Sequence, residues 1–250
     1  MRKKFVFLCL IISIFSVNAQ YGPYYYEVGI TSGPVFFHSD YGERGDFKNF
    51  VQNNGFSIGG HYYFTPNVDF QSIQEHFKVR LDAGYMKADL QHFGKYVEND
   101  KNNLFVQQLR AMSAKVNEVN IGAQIEYFPF KTDDYIRGVG LTPYVSLGGQ
   151  ANFYSVVSST SLGESNIPPT TPVKYLDAVR SEDKMVASIS GGIGTRFKLS
   201  EYHSLMVEFN SKYYFSDYVD GLNPNRKVYT ENKANDWVTS LNFGYIFYFY

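Results

Sequence analysis

Leu205-Met206-Val207-Glu208-Phe209-Asn210-Ser211-Lys212-Tyr213-Tyr214-Phe215-Ser216 is the stretch that decides the fold. Its odd positions read Leu, Val, Phe, Ser, Tyr, Phe, and its even positions read Met, Glu, Asn, Lys, Tyr, Ser. Successive side chains of a strand point to opposite faces, so one face suits hydrocarbon and the other suits water. A helix would scatter these residues around its axis. The period of two makes this a strand.

The same alternation recurs along the chain. Val119, Ile121, Ala123, Ile125 and Tyr127 alternate with Glu118, Asn120, Gly122, Gln124 and Glu126. Phe77, Val79, Leu81, Ala83 and Tyr85 alternate with Lys78, Arg80, Asp82 and Gly84. Val145, Leu147, Ala151 and Phe153 face away from Ser146, Gly148, Gln150 and Asn152. Ile189, Ile193, Phe197 and Leu199 face away from Ser190, Gly192, Gly194, Arg196 and Lys198, and Leu241, Phe243, Tyr245, Phe247 and Phe249 share one face. Eight strands are predicted, over 24–32, 55–64, 76–88, 117–128, 141–155, 185–199, 204–217 and 237–250. Several reach the ~9–11 residues that a tilted strand needs to cross a bilayer.

The connections alternate in length. Segments 33–54, 89–116, 156–184 and 218–236 are long and polar, whereas 65–75, 129–140 and 200–203 are shorter. Long loops on one side and short turns on the other are the asymmetry of an outer-membrane barrel with periplasmic termini. In hydrocarbon every backbone N–H and C=O must be paired internally, so such a sheet must close on itself. The expected fold is therefore all-β: an eight-stranded antiparallel up-and-down transmembrane β-barrel with four long outer loops.

Composition agrees. The chain of 250 residues holds 22 Tyr and 22 Phe but one Trp, and is 18% aromatic with a negative mean hydropathy of -0.28. Rings at lipid–water boundaries plus a polar interior give this combination. A net charge of -1 supplies no field to recruit nucleic acid. Arg2, Lys3 and Lys4, an apolar run from Phe5 to Phe15, and Val17-Asn18-Ala19 have the layout of a secretory signal peptide. Cleavage is expected between Ala19 and Gln20, giving a leader 1–19 and a barrel domain 20–250. The single cysteine, Cys9, lies in that leader, so disulfides, a thiol nucleophile and cysteine-ligated metals are excluded from the exported domain.

The inward set contains Glu27, Asp82, Glu118, Glu126 and Glu208 against Lys78, Arg80, Arg196, Lys198 and Lys212. Acids and bases balance, and an unpaired buried charge is very costly, so a paired lumen network is expected. Paired carboxylates also invite an acid–base reading. Glu118 and Glu126 are eight positions apart on one strand, ~26 Å, too far to cooperate. His38, His61, His76, His92 and His203 are scattered, no Ser stands in a nucleophile-elbow context, and Gly191-Gly192-Ile193-Gly194 lies inside a strand. No catalytic residue, cofactor or metal is assigned. Asp217, Asp220 and Asp236 could supply oxygen ligands to calcium, but turn chemistry accounts better for their neighbourhood.

The chain stops at Phe247-Tyr248-Phe249-Tyr250, which resembles the aromatic C-terminal signal read by the barrel assembly machinery. Tyr26-Glu27-Val28-Gly29-Ile30 followed by Phe37-His38-Ser39-Asp40-Tyr41-Gly42 is similar to the first strand and loop of PorG-like barrels. So is Leu141-Thr142-Pro143-Tyr144 to their "TPY" strand. The strongest similarity runs from Gly192-Ile193-Gly194 through Asp220-Gly221-Leu222-Asn223-Pro224 to Asn235-Asp236-Trp237, and it is patchy between residues 65 and 135. That family is associated with the type IX secretion system and gliding apparatus of Bacteroidota. The resemblance implies a non-enzymatic role beside the periplasmic ring of the secretion machine, with secretion-machine proteins as partners, and the barrel itself is expected to be monomeric in outer-membrane lipid. The resemblance offers no catalytic residues. The alternative reading is an adhesion or ligand-binding barrel acting through its four long loops.

Overall fold

The computed structural model describes residues 26–42, 46–65, 73–130, 140–229 and 234–249. The expected leader and its Ala19–Gln20 junction lie outside these residues, as do the outermost residues of the first and last predicted strands.

Eight strands close into one barrel in sequence order: β1 Tyr26–His38, β2 Asn54–Phe64, β3 Phe77–Gln91, β4 Met112–Tyr127, β5 Leu141–Thr160, β6 Glu182–Lys198, β7 His203–Tyr214 and β8 Trp237–Phe249. Every neighbouring pair is antiparallel, and β8 pairs with β1 from Tyr26↔Phe249 to His38↔Trp237. The sheet therefore has no free edge.

Register fixes the tilt. From Tyr26 the paired residues run Phe64, Val79, Ile125, Leu147, Gly191, Ser211 and Thr239, and the circuit returns to β1 at Phe36. Position 36 less position 26 is a stagger of ten residues, which tilts the strands by roughly 45°. Ten steps of ~3.3 Å at that tilt rise about 23 Å, close to the ~25 Å apolar band of a membrane barrel. Tyr26, Tyr127, Phe197 and Phe249 mark its lower rim, and Phe56, Tyr85, Phe153 and Phe215 its upper rim, all exposed. Between them the outer wall is apolar: Ile121, Leu147, Ile193 and Phe209 are each at least half exposed. In water this band would be a very large patch of uncovered hydrocarbon. It fits lipid.

Several strands outrun the prediction at the end carrying the long loops. β5 continues to Thr160 rather than 155, β4 begins at Met112 rather than 117, β3 ends at Gln91 and β1 at His38. β7 stops at Tyr214, short of 217. The twenty residues of β5 rise about 45 Å, well beyond any bilayer core. Toward this end of the strands the polarity of the two faces inverts. Met86, Ala88, Leu90, Met112, Ala114 and Val116 point inward and are buried. Lys87, Asp89 and Lys115 point outward and are exposed. Here the barrel is built like a water-soluble one.

The connections above it form a lid. It contains the helices Phe47–Gln52 and Leu104–Ala111 and the 3-10 turn Val173–Tyr175. Lid and upper lumen share one hydrophobic core that includes Phe37, Tyr41, Leu90, Leu109, Val156, Tyr175, Val219 and Leu222. The expectation of long polar loops over a polar interior is thus corrected. The ion pairs lie in the lower part of the interior, beside a buried cluster of Tyr63, Phe128, Tyr144, Met206, Ile246 and Tyr248, and the loops bury apolar side chains over the upper half. Helix Leu104–Ala111 shows how: Asn103 caps it by accepting the Val106 N–H at 2.9 Å, and Val106 and Leu109 turn into the core.

Candidate functional site: lumen network and lid

All ten charged residues predicted for the lumen are buried, the most accessible being Asp82 at 8%. Their pairing runs across the barrel. Lys78 and Arg196 both reach Glu27, the Arg196 contact at 2.5 Å. Arg196 also reaches Glu126 at 2.5 Å, and Glu126 accepts from Arg80 at 2.8 Å. Arg80 continues to Glu208 at 2.6 Å and to Asp82 at 2.9 Å. Each carboxylate here meets one or two cations, the condition under which buried charge is tolerated.

A second group lies higher. Lys212 pairs with Glu118, whose other oxygen accepts from the Tyr214 hydroxyl at 2.5 Å. Lys198 sits beside Tyr248, its ammonium 5.8 Å from the ring centre. The single network expected from the residue list is therefore two ion-pair groups, with Lys198 beside the turns.

Other residues of the inward face complete the packing, among them Gln124 and Gly194, which the strand pattern already places there. Arg196 lies 4.4 Å from the Tyr63 ring centre and 5.2 Å from that of Phe128, so its guanidinium is sandwiched as well as paired. Tyr144 donates to Glu208 at 2.9 Å. Gly194 makes room for it, because a Cβ there would sit 2.5 Å from the Tyr144 ring. Asp82 accepts from Gln124 at 2.9 Å and contacts His61 Nδ1 at 2.6 Å. All share the inward face with the charges, so period two was the available signal. Their pairings depend on register and stagger. Between the two groups remains a pocket of about 90 Å³, whose polar lining includes His61, Arg80, Gln124, Glu208, Asn210 and Lys212, with room for a few waters.

The four lid segments are tied in a ring. Gln91 and Phe93 donate backbone N–H groups to Asn53 and Asn49 at 2.8 and 3.3 Å. Gln108 donates to the Pro168 carbonyl at 2.7 Å. Val179 and Leu222 form an antiparallel bridge, flanked by Arg180 N–H to Gly221 O at 2.9 Å. Asp220 closes the ring by accepting the Asp40 N–H at 2.7 Å.

The motif residues of the last loop hold this closure. Asp220 also accepts the Leu222 N–H at 2.7 Å, across Gly221, whose φ of 81° suits glycine. Asp236 accepts the N–H groups of Val219 and Asp220 at 3.0 and 3.2 Å. Asn235 binds Arg226 at 2.9 Å and the Tyr214 carbonyl at 3.1 Å, and Trp237 stacks on His38 with centroids 3.9 Å apart. Asn223 donates its N–H to the Ala178 carbonyl at 3.1 Å, one residue before Pro224. The carboxylates of Asp220 and Asp236 are thus engaged with backbone, and Asp217 pairs with Arg226 at 3.0 Å. No group of three or more metal-ligating side chains occurs among the described residues.

Burial pushes the Asp220 carboxyl well above the usual 3.8, and nearby Asp40 and Asp217 push it the same way. Burial also lowers His92 from 6.5 to about 3, with Lys174 adding repulsion. His92 packs between Tyr41 and Tyr175, at centroid distances of 4.9 and 5.7 Å.

The chain is similar to a major outer membrane protein from Thermus thermophilus, with a TM-score of 0.50 and 14% identity over 91% of this chain and 100% of that one. It also matches Ail, the attachment invasion locus protein of Yersinia pestis, solved with the heparin analogue sucrose octasulfate, at a TM-score of 0.45 and 11% identity over 91% and 100%. The outer membrane protein OprG from Pseudomonas aeruginosa matches at 0.38 and 13%, over 88% and 95%. At these identities the likeness speaks to the fold alone. No protein-family model and no curated protein sequence matches the chain.

Proposed function

We propose that this chain is a small outer-membrane barrel with a scaffolding rather than a conducting or catalytic role, an accessory component of a type IX secretion or gliding apparatus. The observation that carries the scaffold reading is the filled lumen. Buried ion pairs and aromatic rings occupy its lower half, apolar side chains occupy the upper half, and a bonded lid covers the top. Such a barrel is a rigid body that marks a position in the membrane and offers its turns to periplasmic partners.

The secretion assignment rests on the PorG-like marks from Asp220 to Trp237, which in this chain build the lid closure. Crosslinking in cells followed by mass spectrometry tests it. Attachment to periplasmic ring components, with impaired export in a deletion strain, is the expected result. Normal secretion and motility in that strain contradict it.

One observation favours surface adhesion as a second reading: Leu104, Val173 and Val228 on the lid are 60%, 73% and 64% exposed. Replacing them with Asp in a protein that still folds would abolish adhesion while leaving secretion intact if that reading holds.

A further inference from the structure

Helix Phe47–Gln52 is built inside out for a helix at a water surface. Its polar Asn49 is buried, where its side-chain oxygen accepts from Asn53 at 3.0 Å and from the Phe93 N–H at 3.3 Å. Phe47, Phe50 and Val51 occupy the i, i+3 and i+4 positions of the opposite face. Phe47 is 75% exposed and Val51 38%. A soluble amphipathic helix turns these faces the other way.

The location explains the inversion. Phe50 packs against the outward rings of Phe36 and His38 with centroids 5.1 and 4.4 Å apart, and His38 stacks on Trp237. Phe36 is where the register circuit closes, about 23 Å above Tyr26, so the helix lies at the upper rim of the apolar band. Its apolar face continues the lipid-facing wall, and Lys48 beside it is exposed.

We propose that helix Phe47–Gln52 seats in the outer leaflet, burying Phe47 and Val51 at the headgroup–acyl boundary and fixing the height and rotation of the barrel. This rests on the outer-membrane reading above. The physics is that of an interfacial amphipathic helix, here held by the lid instead of by its own length.

The only tryptophan, Trp237, is first replaced so that a single new indole reports on depth. In full-length Trp237→Phe protein in phosphatidylcholine vesicles, Phe47→Trp is compared with Phe209→Trp in the middle of the lipid-facing wall, using lipids brominated at set depths. Val51→Trp serves as a second helix probe should Phe47→Trp fail to show heat-modifiable migration. The expected result is loss of emission from the helix probe with bromines near the headgroup end of the chains, and from the wall probe with deeper bromines. Quenching of the helix probe by aqueous iodide, while the wall probe responds to bromolipid, overturns the helix proposal alone. So does concentration-dependent shielding of the helix probe from both quenchers, which would mean a second copy covers the helix. A wall probe untouched by bromolipid overturns the membrane reading, and the proposal with it.

Discussion

The Asp220 carboxylate accepts the backbone N–H of Asp40 at 2.7 Å, joining the last long loop to the first across 180 residues of chain. This one bond completes the ring of loop contacts over a lumen already filled by paired charges and apolar rings. The lid is therefore part of the folded core. It also sits where protonation acts on it.

Asp220 has its folded pKa raised above the unfolded value, chiefly by burial and next by Asp40. A raised pKa means that stability is fully present below about 3.9 and is lost as pH rises through the folded value. Amide protection at Asp40 and Leu222 is thus expected to fall with rising pH. Asp220→Asn, neutral at every pH, removes that dependence while weakening protection modestly. Hydrogen exchange followed by mass spectrometry measures both. Identical pH slopes in the two proteins would contradict this account of the lid.

His92 works in the opposite direction. Its folded pKa lies near 3 against 6.5, so the folded state resists protonation. Stability is complete above about pH 6.5 and declines toward pH 3, by up to a few kcal/mol. His92→Phe keeps a ring between Tyr41 and Tyr175 and should flatten the acid limb of the urea midpoint between pH 7 and 4. An unchanged acid limb would mean that His92 is reached by water.

Glu126 joins Arg80 and Arg196, and truncating it leaves two buried guanidiniums short of a partner. Glu126→Leu is expected to cost about 3–5 kcal/mol. Tyr144→Phe, which loses only the hydroxyl donated to Glu208, should cost about 1.5–3 kcal/mol. Urea unfolding in vesicles ranks them. Equal or negligible costs would show that the lumen charges are solvated instead of paired.

Much of this barrel was legible in the chain wherever lipid imposed its pattern. Leu205 to Phe215 and Val119 to Tyr127 announce strands because hydrocarbon outside and charge inside force a strict alternation. The strand ends were not legible for the same reason. From Met112 to Val116 apolar residues still alternate with polar ones, but on the opposite face, and from Val156 to Thr160 the alternation fades into Val-Val-Ser-Ser-Thr. A pattern of lipid on the outside places 112–116 and 156–160 in loops. The ten lumen charges followed from period two alone. Partners such as Arg80 and Glu208, 128 residues apart, did not, because they meet only through the ten-residue stagger of the closed sheet. The aromatic sandwich on Arg196 draws on Tyr63 and Phe128 from distant segments, and composition held no pointer to it.

One pair of substitutions on a single strand tests the membrane band most directly. Leu147 and Ser159 share the outward face of β5, twelve positions apart, the first mid-band and the second above the rim. Folding free energy in vesicles should drop by about 2–4 kcal/mol for Leu147→Arg and by about 0–1 kcal/mol for Ser159→Arg. Equal small losses at both sites, or a purified protein that stays monodisperse without detergent, would contradict a barrel set in lipid.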